Sequence, residues 1–472
     1  MSKFYITNAI PYVNAAPHVG HALEFVQSDT VARYHRLKGD DVLLLCGGDE
    51  NALKNVQAAE TSGVPIQKFV DQNSVLFQKL AERLNVKFDV FQKGSAEQHH
   101  KSSQRLWELC EKAGDIYKKD YSGLYCVGCE QFYESGELNE KGECFEHLGI
   151  KLEEVTEENY FFKLSEYEGQ IRDLIENDKL KIIPETRKNE VLGFLEQGLK
   201  DISISRSNER TKNWGVPVPN DSGQRMYVWF DALNIYQSGV GFGLNDKQYQ
   251  KWWPADIHVI GKGIIKFHAI YWPAFLFSAG LALPKSLFVH GYFTVDGQKM
   301  SKTVGNVVDP FVLIEKYGTD VLRYYFLREI SSTGDGDFSE TRLKEVYNAD
   351  LANGLGNLVA RVAKLCEREN FEAPQTYKVW CADVDKALLE YKFNEALRAI
   401  WLLITEADQK VNTEKPWILS GEKLSKVLKD LVKRVQEVAY NLRPFLPETS
   451  EKILRQFSGK IKSADPLFPR LV

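Results

Sequence analysis

Two histidines three residues apart stand near the start of the chain, in the run Pro17-His18-Val19-Gly20-His21. The residues before this run read as a short strand and those after it as a helix, and the free N–H groups at a helix start favour phosphate. Two imidazoles at this spacing can reach one ligand together, while Gly20 lets a flat base approach the backbone. The run therefore predicts a nucleotide site. The alternative is a pair of surface histidines, and metal binding is less favoured because no third ligand is adjacent.

A second cluster lies about 280 residues further on, in the run Gly297-Gln298-Lys299-Met300-Ser301-Lys302-Thr303. Two lysines that bracket a small hydroxyl residue on a glycine-flanked loop suit a mobile clamp for a triphosphate. The leaving pyrophosphate of such a ligand gathers negative charge in the transition state. A solvated lysine pair is the usual alternative for a loop of this kind taken alone. The histidine pair upstream makes that alternative less favoured.

Thiol and imidazole groups form a third cluster, in Cys126-Val127-Gly128-Cys129 and Cys144-Phe145-Glu146-His147. Three thiolates and one imidazole close a tetrahedral structural zinc site with no vacancy for water. The alternative, four free or oxidisable groups, would leave a glycine-rich segment with little to order it. We therefore predict one structural Zn²⁺ held by Cys126, Cys129, Cys144 and His147. The other cysteines, Cys46, Cys110, Cys366 and Cys381, are isolated and read as core residues.

Strands and helices must bring these clusters into place, and their pattern repeats in two parts of the chain. Each part shows a buried strand, an apolar helix and a second buried strand, which is a βαβ unit and predicts a parallel sheet. The first unit comprises Phe4–Thr7, a helix from about Pro17 to Gly39, and Asp41–Cys46; the second comprises Asp256–Ile260, Ile264–Leu281 and Leu287–His290. Two separated units imply one sheet interrupted by an insertion at roughly residues 115–225. The expected fold class is therefore α/β, with a parallel sheet split by a zinc-binding insertion.

The C-terminal part has a different pattern, because strand signals stop after about Tyr347. Apolar residues form one stripe of a long amphipathic helix, with Lys and Glu on the opposite face. The stripe consists of Leu424, Val427, Leu428, Leu431, Val432, Val435 and Val438. We therefore expect an all-α helical bundle at the C-terminal end.

Composition excludes some classes of protein. The chain has 472 residues and a net charge of −5, which is too long for one small module and too acidic for a uniformly basic nucleic-acid binder. A polyanionic partner would have to meet a local basic surface, and the segment from residue 346 does carry a charge of +3. Seven cysteines and the lack of an apolar leader predict a cytoplasmic protein. The longest apolar run, Ala269–Pro284, falls short of the 18 or so residues that cross a membrane.

The histidine and lysine runs together resemble the HIGH and KMSKS motifs of class I aminoacyl-tRNA synthetases. Further runs resemble those of the methionyl-tRNA synthetases within that class. They are Ala9-Ile10-Pro11-Tyr12, Tyr227-Val228-Trp229-Phe230-Asp231-Ala232, Phe267-His268 with Trp272-Pro273, and Gly334-Asp335-Gly336-Asp337-Phe338-Ser339. The likeness extends from residue 4 to about 450. It implies a Rossmann-type class I sheet and ligation of methionine to tRNA(Met), including initiator tRNA, with Mg²⁺ accompanying ATP and with the chain as a monomer.

The resemblance also implies domains and residue roles. The domains would be the Rossmann catalytic domain in two halves, 1–114 and 226–295, separated by the connective zinc insertion 115–225, then the KMSKS loop and stem-contact region 296–345 and the α-helical anticodon-binding domain 346–472. Catalysis would fall to His18, His21, Lys299 and Lys302, and ATP binding to Gly20, Glu24, Gly261, His290, Ser301 and Thr303. Methionine would contact Ala9, Ile10, Tyr12, Asp49, Trp229, Leu233, Tyr236, Ile264, Phe267 and His268. The anticodon would contact Asn357, Arg361 and Trp417.

Purely structural roles are the alternatives for several of these residues. Most of the methionine set reads as core, Asn357 and Arg361 as a helix surface pair, and Trp417 as a buried indole. The chain also departs from the family pattern at Asn51, Ala52, Leu233, Gly263 and Thr303. Two competing functions follow. The leucine, valine and isoleucine enzymes share the motifs but need an editing insertion larger than about 110 residues, and a non-catalytic tRNA-binding paralogue should have lost the His or Lys pairs.

Overall fold

The computed structural model describes residues 2–127, 131–133, 135–144, 149, 151–299, 307–373 and 376–471. Its strands are β1 (Lys3–Asn8), β2 (Asp41–Gly48), β3 (Val90–Lys93), β4 (Ile116–Cys126), β5 (Gln131–Tyr133), β6 (Glu153–Phe162), β7 (Lys181–Ile183), β8 (Ile202–Ser203), β9 (Ser205–Ser207), β10 (Pro217–Val218), β11 (Asp221–Met226), β12 (Ile257–Gly261), β13 (Ser286–His290), β14 (Phe293–Val295), β15 (Gln298–Lys299), β16 (Gly336–Phe338), β17 (Glu372–Ala373) and β18 (Gly459–Lys460).

The α-helices are α1 (Val19–Lys38), α2 (Leu53–Ser62), α3 (Ile66–Arg83), α4 (Glu97–Ala113), α5 (Glu168–Glu176), α6 (Glu185–Glu196), α7 (Asn208–Thr211), α8 (Val228–Ser238), α9 (Asp246–Trp252), α10 (Trp272–Ser278), α11 (Pro310–Tyr317), α12 (Thr319–Glu329), α13 (Glu340–Val346), α14 (Asn357–Arg368), α15 (Ala382–Leu389), α16 (Phe393–Glu414), α17 (Gly421–Leu442) and α18 (Pro447–Gln456). Phe267–Tyr271 and Tyr347–Gly356 are π-helical. None of the described helices is long and apolar enough to cross a membrane.

The chain forms two compact units. The first comprises residues 1–17, 40–79 and 88–289, and the second comprises residues 18–39, 80–87 and 290–472.

A six-stranded sheet in the order β3-β2-β1-β12-β13-β7 organises the first unit. Strand β1 pairs in parallel with β2 on one side and with β12 on the other, with Ile6 opposite Leu44 and Ile257. Strands distant in sequence thus lie side by side, as the two βαβ patterns predict. The second predicted helix is shorter than expected, because a π-helical turn precedes α10 and the helix ends at Ser278.

Strand β7 was not predicted from the sequence. Its three residues lie within the segment 115–225, yet they pair in parallel with β13 at the edge of the main sheet, with Ile183 opposite Phe288. The rest of that segment includes a four-stranded sheet in the order β5-β4-β6-β8, in which β4 and β6 are long antiparallel partners. A three-residue strand is too short to show periodicity, which explains why the pattern did not reveal it.

Helices dominate the second unit. On α17 all seven residues of the predicted apolar stripe are buried, so this amphipathic helix is confirmed. A two-stranded antiparallel pair, β17 with β18, adds to the helices and departs from an all-helical expectation. Each of these strands has two residues, which is again too few to leave a sequence signal.

A buried ion pair anchors helix α1 within the second unit. The Nη2 of Arg323 lies 2.8 Å from the Oδ2 of Asp29, and both side chains are fully buried. Arg323 also donates to the carbonyl oxygens of Phe445 (2.7 Å), Pro444 (3.0 Å) and Leu84 (3.1 Å). Because a buried charge is tolerated only when it is paired and hydrogen-bonded, this arrangement holds α1, α12 and the chain after α17 in one register.

Candidate active site

The two histidines of the first motif form the cap of helix α1. His18 is the N-cap, and its Nδ1 accepts the Gly20 N–H at 3.1 Å. The Nδ1 of His21 accepts the His18 N–H at 3.2 Å, and the two rings stack with centroids 3.9 Å apart. The motif therefore satisfies helix-start N–H groups that would otherwise lack partners.

This capping decides where the imidazole protons sit. A backbone N–H can only donate, so each Nδ1 must be an unprotonated acceptor and each neutral ring carries its proton on Nε2. Burial lowers the pKa of His18 to about 4. Burial, and secondarily the neighbouring His18, hold the pKa of His21 well below its usual value. At neutral pH the pair is thus uncharged and presents two Nε2–H groups suited to phosphate oxygens.

Flanks of the lysine loop are bonded to the same helix. The backbone N–H of Val19 donates to the carbonyl oxygen of Val308 at 3.3 Å, a few residues beyond the loop. On the other side of the loop, the Nε2 of His290 lies 2.7 Å from the Oε2 of Glu24 on α1. The Nδ1 of His290 faces the Gly291 carbonyl at 2.9 Å, so both ring nitrogens face acceptors. Burial opposes the charged ring, but the hydrogen bond and charge of Glu24 outweigh it and raise the pKa of His290.

A tight hairpin leads into the lysine motif. Strands β14 and β15 pair with Val295 opposite Gln298, and the two residues between them, Asp296 and Gly297, have positive φ angles of 49° and 75°. This is the backbone of a two-residue hairpin turn, for which Asp-Gly is a preferred sequence. The Oδ1 of Asp337 accepts the Gly297 N–H at 2.8 Å. Lys299 is placed by β15, whereas Ser301, Lys302 and Thr303 lie outside the described residues.

The run Gly334–Ser339 braces this hairpin. Strand β16 pairs in parallel with β14, Asp335 accepts the Tyr292 N–H at 2.8 Å, and Asp337 also accepts the Thr294 hydroxyl at 2.7 Å. A Cβ on Gly291 would lie 2.2 Å from the Gly334 carbonyl oxygen, so the close approach of the two chains requires glycine there. The structure thus gives this sequence motif a positioning role.

In the first unit, aromatic rings from the predicted methionine set come together. Trp229 and Phe267 stack in parallel with centroids 3.8 Å apart and an interplanar angle of 4°. Tyr12 meets the indole edge-on at 6.3 Å, and His268 does so at the same distance. The remaining apolar members, Ala9, Ile10, Leu233 and Ile264, belong to or pack against the same hydrophobic cluster. An unbranched, polarizable side chain is well matched to such aromatic walls.

Hydrogen bonds fix the polar edges of these rings. The Nδ1 of His268 lies 2.9 Å from the Ile264 carbonyl oxygen and must donate to it, which leaves Nε2 to accept the Tyr236 hydroxyl at 2.8 Å. Burial lowers the pKa of His268 to about 4, in keeping with a neutral ring. The Tyr5 hydroxyl in turn donates to the Tyr236 carbonyl at 2.6 Å. Sequence reasoning missed Tyr5, because a tyrosine in a buried strand carries no signal beyond core packing.

The departures at Asn51 and Ala52 lie in the buried surroundings of Asp49. Asp49 is 4% exposed and bridges to Tyr12 through the backbone. The Nδ2 of Asn51 donates to Asp231 Oδ2 at 2.6 Å and to the Gly94 carbonyl at 2.9 Å. The amide therefore spans two parts of the first unit, one of them helix α8, which carries Trp229. Gly261 ends β12, and Gly263 lies in the short 3₁₀ turn that follows it.

The anticodon candidates lie in the second unit. Asn357 is exposed on the first turn of α14, and Arg361 follows one helical turn later. Arg361 pairs with Asp408 at 2.5 Å and donates to Asn412 at 2.8 Å. Trp417 sits on the 3₁₀ turn Pro416–Ile418 between α16 and α17 and is 46% exposed. Its indole is therefore accessible, which argues against a buried structural tryptophan.

Two of the predicted zinc ligands are described, and they are neighbours. The sulfur atoms of Cys126 and Cys144 are 3.3 Å apart and fully buried, and the two residues are not joined by a disulfide. Two thiolates on a tetrahedral Zn²⁺ with bonds of about 2.3 Å would be about 3.8 Å apart, so the pair fits one edge of such a site. Cys129 and His147 lie outside the described residues. Within the described ranges, no group of three metal-ligand side chains occurs.

Together, a parallel sheet split in sequence, a histidine-capped helix and a braced lysine hairpin define a class I aminoacyl-tRNA synthetase. Comparison with known proteins agrees: residues 4–363 match the family described as tRNA synthetases class I (M). The chain belongs to this methionyl family. It is 40% identical to a methionine–tRNA ligase of Brucella suis, over 100% of this chain and 98% of the relative. It is 41% identical to a methionine–tRNA ligase of Thermotoga maritima, over 98% of this chain and 76% of that relative. A solved Mycobacterium tuberculosis methionyl-tRNA synthetase in complex with methionyl-adenylate matches with a TM-score of 0.92 and 37% identity, covering 100% of both chains.

Proposed function

We propose that this chain activates methionine with ATP to methionyl-adenylate and pyrophosphate and then transfers the methionyl group to the 3′-terminal adenosine of tRNA(Met). The family match over residues 4–363 and the similarity of the whole chain to a methionine–tRNA ligase support the reaction and the amino acid. The observation that carries the catalytic assignment is the bonding of both flanks of the lysine loop, His290 and Val308, to the helix capped by the histidine pair.

In the first step a carboxylate oxygen of methionine bonds to the α-phosphorus of ATP while the bond to the β-phosphate oxygen breaks. Protein groups need only position the phosphates and stabilise their charge. We assign the Nε2–H groups of His18 and His21 and the ammonium groups of Lys299 and Lys302 to this task. Gly20, Glu24, Gly261, His290, Ser301 and Thr303 would position the nucleotide, and Mg²⁺ enters bound to ATP.

Methionine itself is assigned to the aromatic cluster of the first unit. Trp229, Phe267 and Tyr12 would enclose the thioether, and Asp49 would hold the α-ammonium group. In the second step a ribose hydroxyl of the terminal adenosine attacks the methionyl carbonyl carbon and AMP leaves. The resemblance to class I makes this the 2′-hydroxyl.

The helical region would read the anticodon of tRNA(Met), including initiator tRNA. Single-stranded bases are recognised by stacking and by hydrogen bonds along their edges. The exposed Trp417 offers a stacking surface, while Asn357 and Arg361 offer an amide and a guanidinium on one face of α14. We propose that the 346–472 region is the anticodon-binding domain and the 115–225 region the connective insertion, in a monomeric, cytoplasmic chain.

Structural zinc completes the proposal. Cys126 and Cys144 fit such a site, and Cys129 with His147 would provide the other two ligands. When bound, the ion would cross-link the chain around Cys126 to the chain around Cys144 and stabilise the fold of this part of the 115–225 region.

Exchange of ATP with labelled pyrophosphate, measured with each amino acid in turn, tests the proposed reaction. Methionine alone should support rapid exchange. Exchange with leucine, valine or isoleucine would point to a sister enzyme, and no exchange with any amino acid would point to a non-catalytic paralogue.

A further inference from the structure

A basic cavity of about 900 Å³ lies within the second unit, and none of its described lining residues is among the residues assigned above. Its lining carries six cationic side chains and one carboxylate, which is a local charge of +5 on a chain whose net charge is −5. The cations are Arg33, Arg36, Lys87, Lys378, Arg443 and Arg455, and the carboxylate is Glu451. Clustering of like charges is unfavourable in the free protein and favourable once an anion binds.

Buried contacts hold part of this basic lining in place. The Nε of Arg33 pairs with Asp29 at 2.6 Å, and its Nη2 donates to the side-chain oxygen of Asn85 at 3.0 Å. Asp29 is the partner of the buried Arg323, which also holds the carbonyl of Pro444, next to Arg443. The segments that supply Arg33, Lys87 and Arg443 are therefore fixed to one another.

Three of the cations remain available to a ligand. Arg33 is committed to Asp29, and Arg455 pairs with Glu451 at 2.6 Å. Lys87, Lys378 and Arg443 have no carboxylate within ion-pairing distance in the part of the chain that the structure describes. They come from three separate segments of the chain and line one cavity, so a ligand that carries several negative groups can engage all three.

The described lining of this cavity provides no accessible aromatic ring on which a base could stack. Tyr440 is the single aromatic side chain among the described lining residues, and it is 8% exposed because it packs edge-on against Trp380 with centroids 5.3 Å apart. Without a stacking surface, recognition rests on charge and is independent of base sequence.

We propose that this cavity binds phosphate groups, and that their source is the sugar-phosphate backbone of the tRNA. The proposal rests on the proposed function, since tRNA is the phosphate-rich partner of that reaction. It assigns a second contact for the tRNA, besides the anticodon, that contributes affinity and salt dependence but no sequence information.

Salt dependence of tRNA binding tests this directly. Each lost phosphate contact lowers the slope of log K against log [salt] by about 0.7 to 0.9. The triple variant Lys87→Gln, Lys378→Gln and Arg443→Gln should lower the slope for tRNA(Met) by about 2 to 3 between roughly 50 and 200 mM salt. The double variant Lys87→Gln and Lys378→Gln keeps Arg443, a half-buried residue. It should lower the slope by about two-thirds of the decrease seen in the triple variant. Methionine-dependent pyrophosphate exchange, which needs no tRNA, should not change in either variant.

Lys429→Gln is the matched control, because Lys429 is exposed on α17, the helix that ends just before Arg443, and does not line the cavity. An unchanged slope in the triple variant would overturn the proposal, as would an equal change per charge in the control. Binding of inorganic tripolyphosphate to the same variants distinguishes the two sources of phosphate. If the variants weaken tripolyphosphate binding but leave the salt slope for tRNA unchanged, the ligand is a free polyphosphate and the tRNA assignment is wrong. Absence of exchange in the unmodified chain would instead refute the proposed reaction.

Discussion

Replacing His18 by asparagine or by alanine separates the two roles that the structure gives this residue. Its Nδ1 caps α1, and its Nε2–H is directed by that cap to act as a donor. Asparagine is a preferred N-cap and can accept the Gly20 N–H in place of Nδ1, but its side chain is shorter and cannot supply the Nε2–H at the same point. Alanine removes both the cap and the donor.

The expected magnitudes differ between stability and rate. Loss of an N-cap costs about 1 kcal/mol, so His18→Ala should lower the free energy of unfolding by about that amount and His18→Asn by much less. Loss of one preorganised donor to developing charge costs about 10²- to 10³-fold in kcat, which corresponds to about 3 to 4 kcal/mol. Both variants should therefore lose exchange activity to a similar degree.

Urea unfolding and methionine-dependent pyrophosphate exchange, measured on the same preparations, check this prediction. The reasoning fails if His18→Asn keeps exchange within about threefold of the unmodified chain, since 10² is the smallest loss expected for a missing donor. It also fails if asparagine destabilises the fold as much as alanine does. A pH series adds a third readout. Because burial depresses the pKa of His18 to about 4, the unfolded chain binds more protons here below pH 6.5. This contribution to stability is full above pH 6.5, falls as the pH drops toward 4, and should be absent in His18→Asn.

Three further predictions concern other parts of the molecule. Lys302→Ala should lower pyrophosphate exchange by orders of magnitude while leaving methionine binding, measured by equilibrium dialysis, largely intact, because its ammonium acts on charge that develops in the transition state; an unchanged exchange rate would refute that role. Trp417→Ala should leave exchange unchanged but weaken tRNA charging by about 1 to 3 kcal/mol if a base stacks there; equal loss in both assays would indicate a folding defect. Chelation should remove about one Zn²⁺ per chain and alter the circular dichroism spectrum, and Cys126→Ser should do the same; a chain that contains no zinc as purified would contradict the site.

Much of the fold could be predicted because its signals are local and repeated. The strands around the two βαβ units are long enough to show buried runs, and Gly39 marks the end of α1 with a φ of 95°. The stripe on α17 spans several turns, so its period is unambiguous. Strand β7, by contrast, has three residues whose position is set by pairing with a strand about a hundred residues away. Tertiary pairing of this kind leaves no periodicity to read.

The candidate site likewise has features that the sequence predicts and features that only the three-dimensional structure shows. Residue types predicted the histidine and lysine clusters, but the protonation of the histidines depends on which nitrogen caps the helix, and only the coordinates place Nδ1 against a backbone N–H. In the sequence, Asn51 is a departure from the family pattern. In the fold its amide joins Asp231 to the Gly94 carbonyl, so the substituted residue still serves as a buried link.

The spatial distribution of charge is the property that the sequence conveys least well. A total of −5 excludes a uniformly basic surface but gives no information on where cations gather. The cavity draws its arginines and lysines from α1, the segment before β3, the segment before α15 and the chain around α18, which are dispersed over more than 400 residues. Screening limits charge interactions to about 8 Å at physiological salt, so the relevant potential is set by spatial neighbours and not by neighbours in the chain. An acidic protein can therefore bind a polyanion where its fold gathers basic residues, and the salt slope of the cavity variants measures how many of them take part.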